Sequence, residues 1–184
     1  YPRPRLRRAV SQPRAVIFDL DDTLMPEVDA VRAALADACA IAFPTSLSKS
    51  AVLCDSLRLH ARDLWSRGSH AAYCRGIGFS YWEGLWGDAT GSTLHGSFFR
   101  AWQPPYRAEA WRRALTDVGL DDASLARRVS EAFRAETRVR LLPFDGAAGV
   151  VRELRRAGAV GLLTNGESGI QREKLASAGF ADMF

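Results

Sequence analysis

Two carboxylates one residue apart, Asp19 and Asp21, follow a short apolar run at residues 15–18. The run Ala-Val-Ile-Phe is typical of a buried β-strand, and parallel sheets bind ligands at the carboxyl ends of their strands. If the strand continued past Phe18, both acidic side chains would point to the same side. Carboxylates this close repel each other unless a cation neutralises them or one keeps a proton. The pair therefore indicates chemistry at a bound cation or by acid–base catalysis.

A structural role for the same segment is the alternative. Asp21, Asp22 and Thr23 are residue types that cap the N-termini of helices. Capping would account for one of the three and leave the other two unexplained. We therefore favour the chemical interpretation.

A second strand end offers groups that suit a phosphate. The apolar run at residues 159–163 follows Gly158, which is expected to end a helix, and it leads into Thr164, Asn165 and Gly166. A hydroxyl and backbone N–H groups in this position can hold phosphoryl oxygens. An ordinary tight turn would explain these three residues equally well, so their weight comes from the pairing with the first strand end.

Lys174 lies in a helix that is expected to begin at or near Ser168, at the margin of the buried face of that helix. Its ammonium could reach back to the strand ends as a point charge for phosphoryl oxygens. The ordinary alternative is a solvated lysine. Lys49 is the one other lysine among 25 basic residues, so the choice of lysine over arginine at position 174 favours a specific role.

Together these motifs resemble those of the haloacid dehalogenase (HAD) superfamily, whose members are mostly phosphohydrolases. Residues 18–24 resemble its first motif, Thr164 its second and Lys174 its third, in the family's order. The resemblance implies an α/β fold with a Rossmann-like parallel-sheet core, incomplete here, and an inserted helical cap domain. Residues 163–184 are similar to the branch that includes nucleotidases, phosphoglycolate phosphatases and N-acylneuraminate phosphatases.

The resemblance implies a Mg²⁺-dependent phosphomonoesterase that acts on a small phosphorylated metabolite. Asp19 would be the nucleophile that becomes an aspartyl-phosphate, and Asp21 would protonate the leaving alcohol and later deprotonate the attacking water. A carboxylate oxygen of Asp19 and the backbone carbonyl of Asp21 would ligate Mg²⁺. The family's phosphatases and mutases carry an Asp two positions after the nucleophile and its dehalogenases do not, so dehalogenation is not expected.

The resemblance also implies roles at the second strand end. Thr164 and the backbone near Asn165 and Gly166 would hold the transferring phosphoryl oxygens. Lys174 would offset the negative charge gathered by Asp19 and the phosphate.

The stretch between the two strand ends is predicted to be a helical insertion. Apolar residues recur there at helical spacing, with expected helix ends at Gly68 and Gly119 and cap candidates at Asp121 and Asp122. The apolar faces comprise Val28, Val31, Leu35 and Ala38, then Leu53, Leu57 and Leu64, then Trp111, Leu115 and Val118, and finally Leu125, Val129, Ala132 and Phe133.

The predicted organisation has four parts. Residues 1–12 form a basic, disordered tail, residues 13–25 the first part of the core, residues 26–142 the helical cap, and residues 143–184 the second part of the core. An insertion directly after the first motif is, in the family, a cap that closes over the active site and selects the substrate.

Two further features of the sequence have structural interpretations. The aromatic-rich residues 79–86 could face a substrate, but aromatic residues near helical spacing more often fill a core. Asp145 precedes a predicted helix and is expected to be its N-cap.

Composition narrows the choice of partner and compartment. No apolar stretch reaches the length of a membrane span, and the N-terminus lacks the apolar segment of a secretory signal. Three widely spaced cysteines indicate reduced thiols and a cytoplasmic protein. The net charge of +4 comes from five arginines in residues 1–14, so it does not indicate nucleic-acid binding. The expected partner is a small metabolite, and no oligomeric state is predicted.

The family's fourth motif, an acidic pair on a later strand, has no counterpart after Lys174. A fragment of a longer enzyme is therefore expected. Two alternatives stay open at this point: a phosphosugar mutase that uses the same acids, and a catalytically silent binding protein of phosphatase ancestry.

Overall fold

A computed structural model describes residues 15–91 and 94–184, without the side chain of Leu94, so the predicted tail at residues 1–12 lies outside the described residues. Two strands and a set of helices make up the described chain. In chain order they are β1 (Ala15–Phe18), α1 (Glu27–Ala42), α2 (Leu47–Arg67), α3 (Ala71–Ile77), α4 (Tyr81–Trp86), α5 (Leu94–Asp117), α6 (Ala123–Arg140), α7 (Ala147–Ala157), β2 (Ala159–Leu162) and α8 (Ser168–Ser177).

The two strands pair in parallel, with Ala15 opposite Ala159 and Phe18 opposite Leu162. The ladder extends by one bond, because the N–H of Leu163 donates to the carbonyl of Phe18 at 2.8 Å. Parallel neighbours end at the same edge of a sheet, so the residues that follow β1 and β2 meet there. This register confirms the predicted parallel α/β core and brings the two polar strand ends together.

The prediction of a buried first strand is wrong. The side chain of Ile17 is 69% exposed, whereas Val16 and Phe18 are half-buried on the opposite face. Phe18 packs edge-on against Phe184, with ring centroids 6.1 Å apart. One face of the described sheet is therefore covered and the other faces solvent, so the side chains alternate in exposure along β1.

Helices α1 to α6 lie between β1 and α7 in the chain. α1 packs mainly on α6 and α2 mainly on α5, and their apolar stripes form most of the buried core. Val28, in the first turn of α1, is 43% exposed, and Ala30 and Ala34 complete the buried stripe with Val31 and Leu35. The separate status of residues 26–142 as a cap domain stays a prediction.

Several predicted helix ends are confirmed. Gly68 follows the last residue of α2, and Gly119, at φ 77°, follows α5 in the left-handed region that glycine adopts easily. Asp122 caps α6, since its Oδ1 accepts from the N–H groups of Ser124 at 2.8 Å and Leu125 at 3.0 Å. These short-range features follow from residue type alone.

The predicted cap at Asp145 is wrong. Gly146, at φ 81°, is the residue that precedes α7, and the helix has no side-chain cap. The left-handed turn at Gly146 places Asp145 one residue too early to reach the first N–H groups of the helix.

The aromatic-rich residues 79–86 confirm the core interpretation, because Phe79, Leu85 and Trp86 are completely or almost completely buried. Among the described residues, no helix taken singly has both the length and the apolar character of a membrane span. The pair α1 and α2, bent by 120°, meets that test together by length and composition.

Candidate functional site

The chain turns sharply after β1 instead of continuing as a strand. The carbonyl of Leu20 accepts from the N–H of Leu24 at 2.8 Å, which closes a tight turn over the first motif. Asp19 and Asp21 therefore do not lie on one extended strand, and the premise on which they were expected to face the same way is wrong. What decides their positions is the turn.

Asp22 supports the start of α1, although the N-cap residue of that helix is Pro26. Its φ of 53° lies in the left-handed region, which Asp tolerates better than most residues. Its Oδ1 accepts from the N–H of Val28, in the first turn of α1, at 3.1 Å. The neighbouring carboxylate of Asp21 does not contact α1 through this bond and pairs with Lys174 instead. Asp19 accepts one hydrogen bond, from Thr23 Oγ1 at 3.2 Å.

The buried ammonium of Lys174 is the centre of the site. Its Nζ donates to both oxygens of Asp21 at 2.8 and 2.9 Å, to Glu27 at 2.6 Å and to Glu83 at 3.2 Å. The Nζ also lies 5.8 Å from the ring centre of Trp86. Four parts of the chain thus meet here: the turn after β1, the start of α1, α4 and α8.

Glu27 and Glu83 were missed by the sequence analysis. Glu83 sits inside the aromatic segment that was interpreted as core, and it is 3% exposed. An acidic residue in an otherwise apolar segment has to be paired when it is buried, and that was the available signal. Ser80, three residues earlier, also forms the serine–glutamate pattern of a capping box.

Glu83 holds two groups of the site at once. Its Oε2 accepts from the backbone N–H of Ser80 at 2.8 Å, which anchors the side chain to the start of α4. Its Oε1 accepts from Gln171 Nε2 at 2.8 Å as well as from Lys174. Gln171 in turn accepts the hydroxyl hydrogen of Thr164 at 3.2 Å. Thr164 and Lys174, the second and third motif residues, are therefore joined through Gln171 and Glu83.

The connection between α3 and α4 lies directly on the loop after β2. The N–H of Gly166 donates to the carbonyl of Ile77 at 2.7 Å. A Cβ at Gly78 would lie 2.6 Å from the Cβ of Asn165, so the approach depends on glycine there. The N–H of Gly166 that was predicted to hold a phosphoryl oxygen is bonded to a protein carbonyl in this conformation.

The site carries more acid than base. Asp21, Glu27 and Glu83 all pair with one cation, Lys174, and the exposed carboxylate of Asp19 lies two residues before Asp21 in the chain. Burial raises the pKa of Glu27 to about 7, although Lys174 acts in the opposite direction, and burial also raises the pKa of Glu83. Burial lowers the pKa of Lys174, but its three carboxylates outweigh this and hold the pKa above its usual value. Lys174 therefore stays positively charged, and its carboxylate partners outnumber it.

A divalent cation fits the exposed carboxylate of Asp19 better than the buried acidic cluster around Lys174. Oxygens of Asp21, Glu27 and Glu83 lie within 4.8 Å of one another, but the ammonium of Lys174 already binds all three side chains. Asp19 is exposed and accepts one hydrogen bond, so its carboxylate has oxygen lone pairs to offer a metal. Asp19, which follows β1 at the edge of the sheet, is therefore the side chain that could ligate a divalent cation.

Comparisons with known proteins identify a family and two relatives that this chain resembles. The family described as haloacid dehalogenase-like hydrolase matches residues 13–184. A phosphoserine phosphatase of Thermus thermophilus is 35% identical over 175 residues, which cover 93% of this chain and 65% of that protein. The solved structure of the magnesium-bound HAD hydrolase YfnB from Bacillus subtilis superposes with a TM-score of 0.53 at 17% identity, which shows the fold. That match covers 93% of this chain and 60% of YfnB, so the chain spans less than two thirds of either relative.

Proposed function

Since this chain belongs to the haloacid dehalogenase-like hydrolase family, we propose that it hydrolyses phosphate monoesters of small metabolites. The observation that carries the proposal is the meeting of Asp21, Thr164 and Lys174 in one hydrogen-bonded network, at the sheet edge where Asp19 follows β1. The phosphoserine phosphatase relative makes O-phosphoserine the first substrate to test.

In the proposed reaction, a carboxylate oxygen of Asp19 attacks phosphorus. The bond from phosphorus to the substrate oxygen breaks as the new P–O bond forms, which leaves an aspartyl-phosphate. Asp21 gives a proton to the departing alkoxide and then takes one from the water that attacks the aspartyl-phosphate. In that second step the P–O bond to Asp19 breaks, which releases inorganic phosphate and restores the carboxylate. Both oxygens of Asp21 accept from Lys174 here, so one has to leave the ammonium before it can transfer a proton.

Thr164 and Lys174 supply donors for the phosphoryl oxygens. The Thr164 hydroxyl and the Lys174 ammonium lie at the ends of the chain of hydrogen bonds through Gln171 and Glu83. Both donate to protein acceptors here, so each has to turn to a phosphoryl oxygen before it can stabilise the charge that develops in the transition state. We include the N–H of Gly166 as a third donor, which becomes free when the carbonyl of Ile77 moves away.

We propose Mg²⁺ as the cofactor, held by a carboxylate oxygen of Asp19 and the backbone carbonyl of Asp21. The exposed carboxylate of Asp19, which accepts a single side-chain hydrogen bond, supports this choice, as does the magnesium named for YfnB. When bound, the ion would neutralise negative charge that otherwise repels a phosphate dianion.

We also propose that residues 26–142 act as a cap that selects the substrate. Glu27, Glu83 and the carbonyl of Ile77 all belong to this stretch and contact motif residues or their loop. A ligand bound at the strand ends would therefore meet side chains of the cap as well as of the core.

The test is phosphate release from a panel of phosphate monoesters that includes O-phosphoserine, with and without Mg²⁺. We expect release that depends on Mg²⁺ and is abolished in Asp19→Asn, which keeps the size of the side chain and removes its charge. No release from any ester in the presence of Mg²⁺ contradicts the proposal. A rearranged sugar phosphate in place of free phosphate would favour the mutase alternative.

A further inference from the structure

We propose that Glu83 is a positioning residue of the active site, contributed by α4, that holds Lys174 and, through Gln171, the hydroxyl of Thr164. The inference rests on the proposed function, and it adds to the motif residues a side chain from the helical insertion. One carboxylate oxygen, Oε1, carries both contacts, with Gln171 Nε2 at 2.8 Å and Lys174 Nζ at 3.2 Å.

The network around Glu83 is shielded from water. Glu83 is 3% exposed, Lys174 1% and Gln171 5%, so water cannot easily replace any of these hydrogen bonds. Electrostatic hydrogen bonds are stronger in such a medium, and a buried polar group that loses its partner is costly. The orientation of the Lys174 ammonium therefore depends on its carboxylate partners.

Helix α4 is a firm support for this carboxylate. Its carbonyls accept hydrogen bonds from three side chains of α5. Tyr106 Oη donates to Tyr81 at 3.0 Å, Arg107 Nε donates to Gly84 at 3.0 Å, and Gln103 Nε2 donates to Gly87 just beyond the helix at 3.1 Å. A six-residue helix tied to α5 at this many points gives the Glu83 side chain a fixed base.

The loop after β2 is shaped around the same carboxylate. A Cβ at Gly166 would lie 2.9 Å from Glu83 Oε1 and 2.5 Å from Gln171 Nε2. Gly166 has φ 111°, a conformation that L side chains rarely adopt. Glycine at this position lets the phosphate-side loop, Gln171 and Glu83 come together.

Charge balance does not explain the presence of Glu83. Asp21 and Glu27 already outnumber the single positive charge of Lys174. A third buried carboxylate adds a desolvation cost and like-charge repulsion, so it is unfavourable for stability. The capping bond to Ser80 accounts for Oε2, and a role in placing Lys174 and Gln171 accounts for Oε1.

The first test separates position from stability. We expect Glu83→Gln to lower kcat about tenfold or more, with KM changed less than about threefold, when both enzymes are compared well below their melting temperatures. The melting temperature should fall, because the new amide NH₂ group has to face a donor from which the carboxylate accepts. Glu83→Asp keeps the charge on a shorter side chain and should restore part of kcat. Glu131→Gln, at an exposed position on α6, is the matched control and should change nothing. An unchanged or higher kcat in Glu83→Gln overturns the proposal.

The second test does not need activity. Lys49 and Lys174 are the two lysines of the chain, so Lys49→Arg leaves Lys174 as the sole lysine for ¹⁵N labelling. We expect a slowly exchanging ¹⁵Nζ signal that shifts and exchanges faster in Glu83→Gln but not in Glu131→Gln. An unchanged signal in Glu83→Gln overturns the proposal. If the unaltered protein hydrolyses no ester, the proposed function fails, and this spectrum still decides whether Glu83 holds Lys174.

Discussion

Lys174 Nζ donates to Asp21 Oδ2 at 2.8 Å, although 153 positions separate the two residues in the chain. The contact joins α8 to the turn after β1. The same ammonium binds Glu27 and Glu83, so one buried cation connects the parallel-sheet edge to the helical insertion. The stability and the activity of this protein should therefore both respond to changes around Lys174.

Lys174→Met should strongly destabilise the protein. The substitution keeps an unbranched side chain but leaves three carboxylates without their cation, which costs about 3–5 kcal/mol for a broken buried pair. The free energy of unfolding from urea denaturation measures the loss. Lys49→Met is the control, since Lys49 is exposed on α2. An equally small loss in both variants would contradict the central role of Lys174.

Glu27 should make stability fall as the pH rises. Its pKa is raised from the ordinary 4.5 to about 7 in the folded protein, first because of burial. The folded state then binds the proton more tightly than the unfolded state, so stability decreases between about pH 4.5 and pH 7 and levels off above that. The unfolding free energy of the unaltered protein should fall more steeply across this pH range than that of Glu27→Gln, which lacks the titrating group. Parallel curves would disprove the assignment.

Asp88→Asn should loosen the packing of α4 against α5 and α6. Asp88 accepts from Arg107 at 3.1 Å, Arg134 at 2.5 Å and Arg138 at 3.0 Å. Burial raises the pKa of Asp88, but the three guanidinium groups lower it further, below its usual value. Without the carboxylate the three cations repel one another, and because the Asp88 side chain is 48% exposed and so screened by solvent, we expect a loss of about 1–2 kcal/mol.

Asp55→Asn is the control for the change at Asp88. Asp55 is exposed and pairs with Arg58 one turn along α2 at 3.0 Å. A surface pair of this kind contributes about 0–1 kcal/mol. Urea denaturation of both variants makes the comparison, and equal losses would mean that the cluster around Asp88 is no stronger than a surface pair.

Gly166→Ala should lower the free energy of unfolding by more than the strain of a positive φ alone would. The new Cβ would meet Gln171 Nε2 at 2.5 Å and Glu83 Oε1 at 2.9 Å, so it should separate the hydrogen-bonded groups that join Thr164 to Lys174. We expect phosphatase activity to fall together with stability.

Gly119→Ala is the matched control for Gly166→Ala. Gly119 has φ 77°, but a Cβ there meets nothing within 4 Å. The Gly119→Ala variant should lose about 1 kcal/mol of stability, as expected for strain at a left-handed residue, and keep its activity. Thermal denaturation and phosphate release compare the two variants, and equal effects would show that steric contact at Gly166 is unimportant.

The sequence by itself determined the local features of this protein. Short apolar runs indicated β1 and β2, and Gly68 and Asp122 marked helix ends, because these depend on the residue and its immediate neighbours. The motif residues Asp21, Thr164 and Lys174 were singled out from their types and order, and the fold brings them into one network.

Tertiary structure alone decided which groups surround Lys174. Glu27 and Glu83 lie 147 and 91 positions from it, and no local pattern specifies contacts over such separations. The division of labour between Asp21 and Asp22 likewise depends on the turn after β1, whose left-handed residue sends one carboxylate to Lys174 and the other to α1. A buried ammonium has to collect whatever carboxylates the packed helices bring within hydrogen-bond distance, and only the complete packing determines which ones those are.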